Sequence, residues 1–242
     1  MSGLRRALAY SILLLWCGVL LIFRIWRTHT LQYGFLAWNL FLAAVPLIAS
    51  SLLLAAWRRR TPPVVQVAWF AIWLLFLPNA PYILTDFIHL APSPPMPLWY
   101  DIALLGSAAG TGMLFAFAST AAVQRVVTDE SNPATGWAVV VLAFLLSGFG
   151  IYLGRFLRWN SWDTLAHARA LLEDAITPWT HPLEHPRVLG VTLIYGVGLT
   201  LGYAALHMIL PRRSGRPERD RPGTDVPGVG ERRSGVKDRR ES

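Results

Sequence analysis

Two short stretches of this chain concentrate side chains capable of chemistry. The first, LPNAPYILTDFIHL, Leu77 to Leu90, carries Asn79, Tyr82, Asp86 and His89. The second, GRFLRWNSWD, Gly154 to Asp163, carries Arg155, Arg158, Asn160 and Asp163. Asp86 and His89 stand three apart and so share a helix face, with Tyr82 one turn earlier on much the same side. Histidine exchanges a proton near neutral pH, so His89 or Asp86 suits the role of base or orienter. Arg155 and Arg158 are also three apart, and guanidinium forks bind carboxylate or phosphate through paired hydrogen bonds and stack on indoles such as Trp159 and Trp162. Asp101, in LWYDIALL, is a further acid. Together these groups can clamp an anionic headgroup, or they can pair among themselves, Arg155 or Arg158 with Asp86 or Asp101; pairing is the cheaper solution for buried charge. A plainer account also exists: arginines complement a helix C-terminus, tryptophans line a membrane interface, and Asp86 and His89 suit a headgroup layer.

What positions these residues is read from composition. Of 242 residues 54% are hydrophobic and only 15% charged, against about a quarter charged in a soluble domain, so the chain belongs in a bilayer. Crossing about 30 Å of hydrocarbon takes roughly 17 to 25 apolar residues. Five runs meet this: Ala7 to Phe23, Gly34 to Trp57, Leu98 to Val123, Gly136 to Leu153 and Val188 to Leu210. A sixth begins at Val64 and covers only about 21 Å by Leu77, at about 1.5 Å per residue. Pro78 disfavours helix at Leu77, Asn79 is a good N-cap and Pro81 fits a first turn. The expected fold is therefore an all-α transmembrane bundle of about six spans, the third broken between Pro78 and Pro81 and resuming from Ala80 to about Leu90. Asn160 as N-cap, with Asp163 in the third position beyond it, resembles a capping box. It is expected to open an interfacial helix over residues 161–176.

Residues 1–210 form the membrane domain in this reading. Residues 211–242, with ten of the 22 basic residues, six acidic ones and many Gly and Pro, are expected to be a disordered basic tail that meets anionic lipid rather than nucleic acid. The first apolar run is too long for a cleaved signal and lacks a small-residue cleavage site, so it is expected to be retained. Basic residues favour the side holding both termini, the RRRTPP loop and the QRVVTDESNPAT loop, which makes both termini cytoplasmic and puts the two chemistry-bearing stretches at one, extracytoplasmic, end. Cys17 is the single cysteine, so no internal disulfide forms.

Other signals carry less. His181 and His185 in THPLEHP each precede a proline, which disfavours the helix that would bring them onto one face, so no metal is expected. The glycine pairs Gly106 and Gly110, Gly150 and Gly154, and Gly198 and Gly202 read as close helix packing. Asn39 and His207 read as donors of interhelical hydrogen bonds and no more. Phosphate-binding loops, dinucleotide fingerprints, nucleophile elbows and CxxC pairs are absent, so no cofactor is expected.

FLPNAPYILTDFIHL, WYD and GIYLGRFLRWNSWD resemble the signature segments of the DUF1361 family, bacterial multi-pass membrane proteins of unassigned function. The resemblance covers most of Met1 to Leu210 and implies a bacterial cytoplasmic membrane; it brings no catalytic residues with it. Three functions follow from the residues, in this order: a structural or assembly role with the charged cluster as a lock or dock; a binding or enzymatic site for an anionic lipid or polyprenyl-linked phosphate headgroup; and a transporter, for which a broken span is the pointer. Substrate and protein partner are not legible.

Overall fold

The computed structural model describes residues 3–92, 95–156 and 186–209, and all regular structure among them is helical. The described residues form seven α-helices, α1 (Gly3–Thr28), α2 (Phe35–Arg58), α3 (Pro63–Phe76), α4 (Asn79–Tyr82), α5 (Leu98–Glu130), α6 (Pro133–Phe156) and α7 (Pro186–Ile209), with a 3-10 helix, Ile83–His89, continuing α4. Among the described residues, six stretches are long and apolar enough to cross a membrane, α3, α4 and the 3-10 helix counting together as one span of 27 residues. The chain is an all-α polytopic bundle. The interfacial helix expected over 161–176 and the tail expected over 211–242 fall outside the described residues.

Helix α5 is the hub. It packs against α1, α2, α4, the 3-10 helix and α6, because small residues along it let neighbouring backbones come close. A methyl group on Gly112 would stand 2.3 Å from the Ala80 carbonyl oxygen, so only glycine admits α4 there. Buried polar side chains tie the same helix outward: the Trp73 indole donates to Ser119 Oγ at 3.3 Å and the Tyr100 hydroxyl to the Leu20 carbonyl at 2.8 Å. The Cys17 thiol lies 3.5 Å from Thr111 Oγ1, a buried core cysteine.

Helices α6 and α7 meet through Gly148, whose Cβ would lie 2.5 Å from the Thr192 carbonyl, and through Gly196 against Leu145. The expected pairs Gly106 and Gly110 and Gly198 and Gly202 do not supply this seam: Gly110 and Gly198 face open space. Spacing alone marks a glycine stripe but not which stripe meets a partner. One face of α1 stays bare, with Leu8, Ile12, Leu15 and Ile22 exposed, as expected for side chains against lipid.

The third span is interrupted more gently than its prolines imply. Leu77 keeps helical angles (φ −52°, ψ −41°) and so does Pro78 (φ −58°, ψ −27°), so no residue leaves the helical region at the expected break. The chain tightens instead: the Ala80 N–H reaches Leu77 O at 3.2 Å, a three-residue step. Nor does Asn79 cap a new helix. Its Nδ2 donates backward to Phe76 O at 3.0 Å, supplying a carbonyl whose four-residue partner, the Ala80 N–H, has gone to Leu77.

Candidate functional site

The 3-10 winding determines what the third span presents. With three residues per turn, side chains three apart stack in straight rows. Ile83, Asp86 and His89 form one row, and Tyr82 and Thr85 begin the next. Arg155, at the end of α6, straddles both. Its Nη2 donates to Asp86 Oδ1 at 2.6 Å and its Nε to Thr85 Oγ1 at 2.9 Å, with a second, shorter bond from Nη2 to the same hydroxyl. Nη1 lies 3.2 Å from His89 Nε2, and the guanidinium carbon sits 4.6 Å from the Tyr82 ring centre. A guanidinium only donates, so in this contact His89 Nε2 takes the acceptor role.

Asp86 is 1% exposed, and its second oxygen accepts from Asn39 Nδ2 of α2 at 2.8 Å. Three spans therefore converge on one carboxylate. Gly150 makes this possible on the α6 side: a Cβ there would meet Pro78 Cγ at 2.6 Å.

Beside the cluster, between α2, the third span and α6, lies a cavity of about 420 Å³. One end is polar, lined by Asn39, Asn79, Tyr82, Asp86, His89 and Arg155; the rest is apolar, lined by Leu42, Leu74, Leu75, Leu146, Phe149 and Leu153 among others. Phe35 packs its ring 5.2 Å from that of His89 at the rim.

A second ion pair stands at the same end. Arg24 of α1 donates through Nε to Asp101 Oδ1 at 2.7 Å and through Nη2 to Oδ2 at 3.2 Å, with both residues all but fully buried. Nη2 also donates to Gln32 Oε1 at 3.0 Å, while Nη1 is buried with no hydrogen-bond partner among the described residues. Tyr33 joins the two clusters: Arg24 lies 4.2 Å from its ring centre, and its hydroxyl donates to the His89 carbonyl at 3.1 Å. Burial, reinforced by the Asp101 carboxylate, pushes the Tyr33 phenol above the usual tyrosine range, which keeps it a donor.

The structure thus gathers Asn79, Tyr82, Asp86, His89 and Arg155 about one cavity. Asp101 is the correction: expected to meet Arg155 or Arg158, it is taken by Arg24, which arrives from the span directly beside it. Arg158, Asn160 and Asp163 lie outside the described residues. Sequence reasoning left Arg24, Gln32, Tyr33 and Thr85 out of the site and gave Asn39 only a generic role. For Asn39 and Arg24 the signal was there, since a polar group within an apolar run must find a partner.

A sequence model of a family described as protein of unknown function (DUF1361) matches residues 38–201, about two thirds of the chain. The chain belongs to the DUF1361 family. No curated protein and no solved structure matches it. The DUF1361 segment contains Asn39, Asp86, Asp101 and Arg155 but not Arg24, so the cavity cluster lies inside the family match while the second ion pair straddles its edge.

Proposed function

We propose that this protein binds one amphiphilic molecule within the membrane, its polar end against Asn39, Asp86, His89 and Arg155 and its chain along the leucines. The observation that carries this is the two-ended cavity: polar at the end of the bundle, apolar toward its middle, as ligand pockets of this volume generally are. Arg155 is already neutralised by Asp86. The favoured headgroup therefore hydrogen-bonds to the cluster as a whole, as a phosphate ester or a polyol does, rather than replacing the carboxylate. The arginine distribution supports a cytoplasmic location for both termini, which puts the cavity mouth in the outer leaflet of a bacterial cytoplasmic membrane.

The structural or assembly reading retains one specific support: both Asp86 oxygens are occupied from within the chain, as in a lock between α2, α6 and the third span. The transporter reading loses ground, because the buried charges among the described residues, Arg24, Asp86 and Asp101, all gather at one end.

Filling the apolar part of the cavity separates the first two. Leu146→Trp leaves every bond of the polar cluster in place. Native mass spectrometry of wild type and variant extracted from membranes should show a lipid co-purifying with the wild type and lost from a still-folded L146W. An equal lipid complement in both leaves only the lock.

A further inference from the structure

At the opposite end of α2, some 36 Å from its start at about 1.5 Å per residue, the chain turns into α3 through Arg58, Arg59 and Arg60. Arg60 adopts φ 53°, and the Thr61 N–H reaches back to Ala56 O at 3.1 Å, a tight left-handed closure of α2. This turn, the start of α3 and the end of α5 border a second, open cavity of about 590 Å³, lined by Trp57, Arg58, Arg60, Thr61, Gln66 and Glu130. That is far more than the ~30 Å³ that one water occupies.

Two features bear on a ligand. None of the three arginines has an ion pair or a side-chain hydrogen bond among the described residues, although Glu130 lines the same cavity. Glu130 is instead turned to the Trp57 indole N–H. Finally, Gln66 spends its amide N–H on the Thr61 carbonyl at 2.9 Å, which fixes the first turn of α3 against this pocket.

We infer that this turn is a binding site for the phosphate of an anionic phospholipid headgroup, in the leaflet opposite the main cavity. Arg58 and Arg60 supply charge and forked donors, and Trp57 the aromatic edge that suits the headgroup layer. The inference stands independently of what the first cavity binds.

The test uses the full chain in nanodiscs of phosphatidylcholine with a minor share of phosphatidylglycerol, and native mass spectrometry of the lipid retained. Wild type should retain phosphatidylglycerol in preference to phosphatidylcholine. Arg58→Gln with Arg60→Gln should weaken that retention about twenty-five-fold, at about five-fold for each arginine near an anionic surface, and the fold should survive because both side chains are exposed and unpaired. Arg5→Gln with Arg6→Gln removes equal charge away from the cavity and should leave retention close to wild type, while Glu130→Gln should raise it. Thermal stabilisation by inorganic phosphate in nanodiscs of phosphatidylcholine alone, lost in the Arg58 and Arg60 double variant, would support the same phosphate chemistry with a free ion as its source. Equal losses in the two arginine double variants, or neither a phosphatidylglycerol preference nor a phosphate effect in wild type, would overturn the inference.

Discussion

Asn39 donates to Asp86 at 2.8 Å across α2 and the third span, occupying the one carboxylate oxygen that Arg155 does not take. With Asp86 almost fully buried, Asn39→Val strands that oxygen. The expected cost is about 1 to 2 kcal/mol, within the range for an unpaired buried acceptor, read from reversible unfolding in mixed micelles. A cost indistinguishable from zero would show that water reaches Asp86.

Removing one partner of the Arg155–Asp86 pair should be worse than removing both. Asp86→Asn and Arg155→Gln are each expected to destabilise by about 3 kcal/mol, and the double variant by clearly less than their sum, because each single change leaves charge in a poorly solvated site. Arg155→Lys should behave like a loss, since one ammonium cannot serve Thr85, Asp86 and His89 together. Additivity in the double-mutant cycle would dissolve the pair as an energetic unit.

The Arg24–Asp101 pair invites the complementary experiment. Arg24→Met with Asp101→Leu replaces two buried charges by apolar side chains and is expected to leave stability near wild type, whereas Asp101→Leu alone should cost about 3 to 5 kcal/mol. Thermal denaturation of the three variants in one detergent reads the difference.

Tyr33→Phe keeps the ring against Arg24 and deletes only the bond to the His89 carbonyl, for about 1 kcal/mol. Because burial raises the phenol, the wild-type advantage should hold at every pH below the ordinary tyrosine value of about 10 and decline only as pH rises through the elevated folded-state value. A difference that fades nearer neutrality would place another group in control.

Glycine substitutions distinguish contact from chance. Gly150→Ala drives a Cβ against Pro78 and should cost about 1 to 3 kcal/mol. Gly198→Ala, facing open space, should be neutral or stabilising. Helix unfolding monitored by circular dichroism in detergent would order them.

The spans were legible because bilayer thickness imposes a length that composition alone satisfies. Asp86, His89 and Arg155 were legible as polar exceptions near span ends. The pairing was not: Asp101 has Arg24 and Arg155 as candidates in the sequence, and only the placement of α1 against α5 decides between them. Nor was the form of the interruption: α3 ends at Phe76 and helix resumes at Asn79, as Pro78 and Pro81 signal, but Leu77 and Pro78 keep helical angles, with Pro78 packed on Gly150 and Ala80 on Gly112. Tertiary contact overrode local preference there.

The 3-10 winding of Ile83–His89 also makes this segment an adjustable screw. Seven residues at about 2.0 Å rise reach about 3.5 Å farther than the same residues wound as α-helix, and rewinding them would rotate His89 by about 120° relative to Ile83. The side chains presented to Arg155 and the length of the third span are thus mechanically linked, so a change in membrane thickness and a change in headgroup contact would draw on the same turn of backbone.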